Sequence, residues 1–238
     1  MLVGDYTHTT ERPRRNVTPP TVTCVTSGVG AWRGRRNPLL RAVAPYDPRR
    51  MSLPRPHALP QPVITVDDDL TLRAFDAGAD LPEFFRVIEE SLDHLRPWMP
   101  WVAEHSRDRT TAFLAGRAGL WATGQEFSYA IVLDGAIVGS CGLIRYEDTP
   151  AGTREIGYWL HPAATGRGVA TRAARALTEQ AFRLPGVDRV QIVHDPANTA
   201  SAAVPARLGF TEGTRRPAEA LAPAETGEVQ VWHLRAAG

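Results

Sequence analysis

The feature that most constrains this chain is a change of hydrophobic period between residues 153 and 184. Thr153–Leu160 is predicted to be a β-strand, whereas small and apolar residues recur at helical spacing from Ala170 to Phe182. Between them lies a loop, Thr165–Thr171, that contains two glycines. The first N–H groups of such a helix and the positive end of its dipole point at whatever lies beyond the strand. This arrangement predicts an anion site, with a pyrophosphate as the favoured ligand and an ordinary glycine-rich turn as the alternative.

The composition of the loop excludes one nucleotide-binding motif and argues against another. Gly166 and Gly168 allow backbone conformations that a Cβ atom would block, and Arg167 adds a positive charge. The chain contains no Gly-Lys-Ser/Thr sequence, so a Walker loop is excluded. The loop lies late in the chain and follows antiparallel strands, which argues against a Rossmann dinucleotide site.

Hydrophobic patterns over the rest of the chain predict a mixed α/β domain. Asp134-Gly135 between two strand-like runs is a strong two-residue hairpin signal, and a helix is predicted from Leu81 with Asp80 as its N-cap. The predicted strands are Leu70–Phe75, Phe127–Leu133, Ala136–Tyr146, Thr153–Leu160, Val190–Val193, Thr211–Arg216 and Val229–Leu234, and the further predicted helices are Asp108–Trp121, Ala170–Leu184 and Ala197–Leu208. The expected fold class is α/β, with a mixed, mostly antiparallel central sheet of about six to seven strands flanked by about four helices. One strand–helix–strand crossover supplies the parallel pairing.

Residues 1–60 differ in composition from residues 61–238. The first segment contains nine Pro and ten Arg, carries a formal charge of +7 and shows no sustained apolar period, whereas the second carries −6. A segment of the first kind cannot bury enough surface to offset its ordering entropy. We predict a disordered extension at 1–60 and one folded domain at 61–238. A true translation start at Met51 is an alternative. A further hypothesis is that this Arg-rich segment is a basic arm that docks on ribosomal RNA.

Composition also excludes several classes of protein. The acidic balance of residues 61–238 argues against a broad nucleic-acid-binding face. No run of about 18 apolar residues exists, so no membrane helix is expected. Cys24 and Cys141 are the only cysteines, which excludes a disulfide framework, and the scattered histidines give no support for a metal site. The region 17–32 is too rich in Thr, Pro and Gly for a signal peptide, so we expect a cytoplasmic protein.

Three separated motifs resemble one known family. Glu155–Pro162 followed by Gly166–Thr171 resembles the acetyl-CoA-binding motif of the GNAT N-acetyltransferases. His94–Trp101 is similar to the segment after the first helix in the RimJ/RimL branch, which acetylates N-terminal amines of ribosomal proteins. Asn198–Ser201 together with Arg207–Phe210 resembles the closing motif of that branch.

The resemblance extends over about residues 63–236 and implies a GNAT fold that uses acetyl-CoA as co-substrate and no metal. In that fold two strands splay at the acetyl-CoA site, and the exposed strand edge pairs with pantetheine as an added strand. Backbone amides of the glycine loop would hold the pyrophosphate, and Asn198 would contact pantetheine or position the thioester. The candidate coenzyme-binding residues are Tyr158, Trp159, Leu160, Thr165, Gly166, Arg167, Gly168, Val169, Ala170, Thr171 and Asn198.

This chain departs from the family pattern at two positions. Thr165 stands where the superfamily motif begins with Gln or Arg, so one phosphate contact is weakened or is supplied by Arg167. Pro205 stands where many members have a Tyr that protonates the leaving thiolate, and a Pro inside the predicted helix should kink or shorten it. Ser201, one turn earlier, is the next candidate for that proton, with an ordinary hydrogen-bonding or surface Ser as the alternative.

The resemblance implies direct attack of a primary amine on the thioester in a ternary complex, which requires a base for the amine's proton. Glu155 can take that proton, directly or through water. The alternative is that an exposed strand Glu only pairs with a neighbour such as Arg154. His161 is a second candidate base, because histidine serves this role near neutral pH, although before a Pro it is more often a turn residue. A backbone N–H near Leu160 would polarise the thioester carbonyl.

The acceptor amine is assigned from two aromatic residues and from the family resemblance. Trp98 and Trp101 are the candidate acceptor-binding residues, with core packing as the alternative. By resemblance the acceptor is a protein N-terminal α-amine, as in ribosomal proteins, and a small amine such as an aminoglycoside or a polyamine is the alternative. Because Pro205 replaces the usual proton-donating Tyr, a further alternative is a regulatory module that binds acyl-CoA and is catalytically inactive. We expect a monomer or a homodimer with no membrane partner.

Overall fold

The computed structural model describes residues 59–147 and 149–236. The predicted disordered extension, the alternative start at Met51 and the basic arm therefore fall almost wholly outside the described residues. Within the described part of the chain, none of the helices combines the length and the apolar character that a membrane span requires.

Eight strands and five α-helices make up the described chain. The strands are β1 (Val63–Thr65), β2 (Leu70–Ala74), β3 (Glu126–Leu133), β4 (Ala136–Ile144), β5 (Thr153–Leu160), β6 (Arg189–His194), β7 (Thr211–Pro217) and β8 (Glu228–Arg235). The helices are α1 (Leu81–Glu89), α2 (Leu92–Leu95), α3 (Arg107–Thr123), α4 (Val169–Arg183) and α5 (Thr199–Arg207), with short 3₁₀ helices at Pro100–Glu104 and Pro162–Ala164. The predicted α/β class is confirmed, and the counts exceed the prediction by β1 and α2. Both are too short, at three and four residues, to show a hydrophobic period.

All eight strands form one sheet in the order β1-β2-β3-β4-β5-β6-β8-β7. Only the β5–β6 pair is parallel, and α4 makes the crossover between these two strands, as predicted. The predicted hairpin turn is also confirmed, because Asp134 and Gly135 both have positive φ, at 51° and 82°. β7 is an outer edge strand, and its register with β8 breaks between Glu212 and Arg215.

The two faces of the sheet carry separate hydrophobic clusters, and β5 contributes to both. On one face, α4 packs against the sheet with Ile156 and Leu160 in the cluster. On the other face, α1 and α3 pack against the sheet, and Trp159 joins their cluster beside Phe84. This division follows from strand geometry, because successive side chains point to opposite faces. β5 is therefore fixed from both sides.

The start of α1 differs in detail from the prediction. Asp80 does occupy the N-cap position, but its carboxylate makes no capping bond to the helix. It instead accepts two bonds of 2.7 Å from the Arg73 guanidinium and one of 2.8 Å from the Asp76 N–H. The buried carboxylate thus joins α1 to β2 rather than capping the helix.

β5 and β6 separate part-way along their length. They pair only over Thr153–Glu155, opposite Arg189–Gln191. Beyond that point β5 continues to Leu160, still paired with β4 on its other side. Among the described strands, none pairs with the edge of residues 156–160 that faces β6. We call the opening between this edge and β6 the split, and it is the splay that the family resemblance implies.

Candidate functional site

The N-terminus of α4 follows two glycines in left-handed conformation. Gly166 has φ 71° and Gly168, the N-cap, has φ 75°, while a Cβ atom at either position would meet nothing within 4 Å. Glycine is therefore favoured at both positions because of the left-handed backbone conformation, and not because a larger side chain would clash with a neighbour. Gly168 offers no side chain to cap the helix, so the first amides of α4 are available to an anion. This arrangement fits a pyrophosphate.

The remaining predicted loop residues fit a role through their main chain. Val169 is buried, with 1% of its surface exposed, so only its backbone can meet a ligand. The Thr165 hydroxyl donates to the carbonyl of Pro162 at 2.7 Å. Its side chain is therefore bonded to the preceding 3₁₀ helix. Ala170 and Thr171 are half-buried in the first turn of α4.

Two arginines near the loop have acidic partners. Arg172 binds Asp67 at 2.8 Å and Asp69 at 2.5 Å, and its hydrogen bond holds the pKa of Asp67 below the ordinary value. Arg167 lies 3.6 Å from the carboxylate of Asp134, and both side chains are more than half exposed. An exposed pair of this kind contributes little energy. Arg167 can therefore leave Asp134 for a phosphate, whereas Arg172 anchors α4 to the turn between β1 and β2.

Backbone groups of β5 point into the split. The His161 N–H donates to the Val138 carbonyl of β4 at 2.7 Å. Because backbone groups alternate between the two sides of an antiparallel strand, Tyr158 and Leu160 turn their N–H and C=O groups away from β4 and toward the split. The split thus offers a row of strand hydrogen-bonding groups to a ligand.

Glu155 lies where the pairing of β5 and β6 ends. Its side chain is buried, with 6% of the residue exposed, and its Oε2 accepts a 2.8 Å hydrogen bond from Gln191 Nε2. The alternative of an exposed Glu155 is wrong, because the residue is buried. The neighbouring Arg154 donates to the Gly124 carbonyl at 3.3 Å. Gln191 was missed by sequence reasoning. Its only signal would have been the β5–β6 register, which no local pattern shows.

His161 has partners at both ring nitrogens. Its Nδ1 accepts from the Ala163 N–H at 3.2 Å, and its Nε2 lies 3.5 Å from the Glu90 carboxylate at the end of α1. This geometry favours the alternative of a turn residue over that of a general base.

The predicted residues of α5 lie across the split from β5. Asn198 caps the helix, with Oδ1 accepting from the Ser201 N–H at 3.0 Å. The Tyr158 hydroxyl reaches over to Ser201, 3.1 Å from its Oγ and 3.2 Å from its carbonyl oxygen. Burial raises the pKa of Tyr158 to about 12. Sequence reasoning assigned Tyr158 a main-chain role only, and the structure adds this side-chain contact.

Pro205 lies inside α5, which nevertheless continues to Arg207. The proline therefore does not cut the helix short, and the expected kink stays a prediction.

Aromatic side chains cover the other face of β5 near the split. Trp101 lies 6.1 Å from Trp159, and Trp159 lies 5.7 Å from Phe84, measured between ring centroids. Trp98 is half-buried, three residues earlier in the chain. The preceding residue, Pro97, accepts a 3.0 Å hydrogen bond from the N–H of Ala224 in the β7–β8 loop. The structure thus brings Trp101 to β5 and ties the Trp98 segment to that loop, which sequence reasoning missed.

Comparison with known proteins agrees with this architecture. Residues 69–211 match the acetyltransferase (GNAT) domain family. The chain belongs to the GNAT acetyltransferases. Its acyl donor is acetyl-CoA, and within the described residues no group of three or more His, Cys, Asp or Glu side chains is arranged to hold a metal ion.

Individual proteins are similar to this acetyltransferase in sequence or in fold. It is 37% identical over 152 residues to a Bacillus subtilis protein named as a ribosomal N-acetyltransferase, YdaF, covering 62% of this chain and 80% of that protein. Its fold is similar to RimL, a ribosomal L7/L12 α-N-protein acetyltransferase solved with coenzyme A, at TM-score 0.67 and 23% identity, covering 73% of this chain and 97% of RimL. It is also similar in fold to the microcin C7 self-immunity acetyltransferase MccE, solved with acetyl-CoA and AMP, at TM-score 0.68 and 20% identity, covering 75% and 98%.

Proposed function

We propose that this acetyltransferase transfers the acetyl group of acetyl-CoA directly to the α-amine of a protein N-terminus, and that the acceptor is a ribosomal protein. The observation that carries the chemistry is the buried Glu155–Gln191 pair. It lies at the closed end of the split, which is the end where β5 and β6 still pair. It sets a proton acceptor beside a strand edge that can hold the acyl donor.

Coenzyme binding follows from the backbone of two elements. The first amides of α4 bind the pyrophosphate, and Arg167 adds a charge that can turn from Asp134 to a phosphate. Tyr158 and Leu160 pair with pantetheine through the N–H and C=O groups that face the split, and Asn198 lies on the opposite side at the start of α5. The N–H of Leu160 is then available to polarise the thioester carbonyl.

The proton of the attacking amine goes to Glu155. Attack forms a bond from the amine nitrogen to the carbonyl carbon, and the carbon–sulfur bond breaks with its electron pair on sulfur. The nitrogen loses a proton to Glu155, directly or through water, and the sulfur gains one. Gln191 Nε2 donates to Oε2 of Glu155, which fixes the carboxylate where β5 and β6 stop pairing.

The acceptor assignment is supported by the relative YdaF, which is named for ribosomal acetylation and shares 37% identity with this chain. Trp101 lies on the face of β5 that also carries Glu155 and Trp159, and the Trp98 segment is bonded to the β7–β8 loop. These aromatic residues can line the space through which an N-terminus reaches the split. His161 is not assigned as the base, since both of its ring nitrogens have partners.

The proposal is tested by incubating the protein with acetyl-CoA and candidate acceptors while the release of free thiol is followed. The acceptors are peptides with the N-terminal sequences of ribosomal proteins, the same peptides with blocked N-termini, aminoglycosides and polyamines. We expect release with the unblocked peptides alone. Release with small amines only would show the alternative acceptor class, and coenzyme binding without any amine-dependent release would show an inactive binding module.

The acceptor itself is identified by mass spectrometry of protein N-termini from cells with and without the protein. The expected result is the loss of one acetyl mark, on a ribosomal protein, when the protein is removed. An unchanged set of N-terminal acetyl marks would contradict the acceptor assignment.

A further inference from the structure

Pro205 changes the hydrogen bonding of α5 at Ser201. In an α-helix the carbonyl of one residue accepts from the N–H four residues later, and the residue four after Ser201 is Pro205, which has no N–H. The Ser201 carbonyl is thereby left as an acceptor for another donor. The Tyr158 hydroxyl lies 3.2 Å from it.

The contact between Tyr158 and Ser201 spans the split. Tyr158 belongs to the part of β5 that has left β6, and Ser201 is in the first turn of the helix that follows β6. The Asn198 side chain holds the Ser201 N–H at 3.0 Å, which fixes the position of Ser201 on its own side. The two hydroxyl oxygens therefore meet at 3.1 Å between two anchored elements.

The hydrogen atoms of this pair can be counted. Tyr158 has one hydroxyl hydrogen, which it can donate to the Ser201 carbonyl or to Ser201 Oγ. In either case the Ser201 hydroxyl hydrogen can turn toward a ligand in the split while Tyr158 keeps an acceptor. Both hydroxyls therefore keep a hydrogen-bond partner when the Ser201 hydroxyl hydrogen turns toward the ligand.

We propose that Tyr158 is a positioning residue that holds the Ser201 hydroxyl so that it donates to the sulfur of coenzyme A as the thiolate leaves. This inference rests on the proposed function. The carbon–sulfur bond breaks, sulfur keeps the electron pair, and the Ser201 hydroxyl stabilises the anion by a hydrogen bond. The proton that sulfur finally takes is the one released by the amine through Glu155 and water, so neither hydroxyl is consumed.

The state of Tyr158 fits this role. Burial raises its pKa to about 12, so the phenol remains protonated, and remains a donor, at neutral pH. A phenol held this tightly to its proton serves better as a fixed hydrogen-bond donor to Ser201 than as the source of the transferred proton.

The test measures the pKa of the coenzyme A thiol bound to the protein, from the ultraviolet absorbance of the thiolate against pH. We expect Ser201→Ala to raise that pKa by about one unit, and Tyr158→Phe to raise it in the same direction, because a charge-assisted bond to sulfur is lost or loosened. Ser201→Thr keeps the hydroxyl and should restore the wild-type value. With an acceptor present, kcat should fall about tenfold in Tyr158→Phe while KM for acetyl-CoA changes little.

Tyr129→Phe is the matched control. The Tyr129 hydroxyl is also buried in the sheet and donates to a backbone carbonyl, that of Gln61 at 2.9 Å, but it lies on β3, away from the split. This variant should lose stability as Tyr158→Phe does and leave the thiol pKa unchanged.

The outcomes separate the two proposals. If Tyr158→Phe keeps the wild-type thiol pKa and kcat, Tyr158 only ties α5 to β5 and the inference is overturned. If the thiol pKa shifts as expected but small amines are acetylated instead of protein N-termini, the acceptor assignment fails while the role of Tyr158 and Ser201 at the sulfur is supported. If the wild-type protein binds no coenzyme A, both are overturned.

Discussion

Glu155 shows what a single residue's motif position can and cannot indicate. The family motif predicts a carboxylate on this strand, and the structure places it, buried, at the closed end of the split. The motif gives no sign of Gln191, which is 36 residues later and donates to it across the parallel pair. A buried carboxylate without such a donor would carry a large desolvation cost. The amide partner is therefore part of the site although no local pattern indicates it.

Replacing Glu155 by Gln tests its role as the base. Glu155→Gln keeps the size of the side chain and can still accept from Gln191, but it cannot take a proton from an amine. We expect kcat to fall at least about 100-fold, with little change in the affinity for acetyl-CoA measured by calorimetry. Glu83→Gln is the control, since this carboxylate accepts the Ile137 N–H at 2.9 Å outside the split and its replacement should leave kcat near wild type. A near-normal kcat for Glu155→Gln would remove Glu155 from the mechanism.

At the scale of the element, two features fix the position of α4, and only one of them can be predicted from the local sequence. The glycines before it are a local signal, and their positive φ angles in the structure agree with that signal. The ion pairs of Arg172 join it to aspartates 103 and 105 positions away in the chain. These contacts depend on the folded sheet, which brings the β1–β2 turn beside the helix, so the local sequence does not predict them. Local chemistry thus predicts the start of α4, and topology decides what holds it.

The glycines before α4 should matter more for the coenzyme than for folding. Gly166→Ala and Gly168→Ala each place a Cβ atom in a left-handed conformation, at a cost of about 1–2 kcal/mol. Relief of this strain turns the first amides of α4, so we expect acetyl-CoA to bind about tenfold more weakly in calorimetry. Gly116→Ala is the control, because Gly116 is exposed within α3 and has no close neighbour. It should stabilise the protein by up to about 1 kcal/mol and leave the affinity unchanged. Equal affinities in all three variants would contradict a role of the loop in binding.

Arg172 should make the stability of the fold depend on pH in the acid range. Its hydrogen bond lowers the pKa of Asp67 in the folded state. The interaction therefore stabilises the fold above the ordinary Asp pKa of about 3.9 and is lost as pH falls below it. Between about pH 5 and pH 3, the free energy of unfolding should fall more steeply for the wild type than for Arg172→Met, as measured by urea denaturation. Arg175→Met, an exposed change on the same helix, should keep the wild-type slope. Parallel slopes for wild type and Arg172→Met would show that the pair contributes nothing.

At the scale of the whole molecule, the fold class was predictable because it depends on periodicity and turns that are local. The Asp134-Gly135 hairpin, the helical spacing after Ala170 and the order of the elements were sufficient for a mixed sheet with one crossover. The point at which β5 leaves β6, and the hydroxyl contact between Tyr158 and Ser201, were not predictable from residue patterns, because both depend on the register of strands distant in the chain.

Coenzyme binding should protect specific amides of the sheet from exchange with solvent. Tyr158 and Leu160 turn their N–H groups to the split, where no described strand accepts them. Hydrogen exchange followed by mass spectrometry should show slower exchange in residues 156–160 on addition of coenzyme A. Peptides from β3, which is paired on both sides, should be unchanged. Unchanged exchange in residues 156–160 at saturating coenzyme A would contradict strand-like binding of pantetheine.

The two kinds of open strand edge in this sheet have opposite chemistry. The outer strand β7 carries Arg215 and Arg216 and ends at Pro217, which has no N–H, and its register is irregular. These are the devices by which proteins prevent a second chain from extending a sheet. The edge of β5 at Gly157–Leu160 is uncharged but lies inside the molecule, facing β6 and α5. Strand addition is thereby discouraged along the exposed edge of β7 and permitted at the inner edge of β5, so a feature that elsewhere leads to aggregation becomes a binding surface for a ligand.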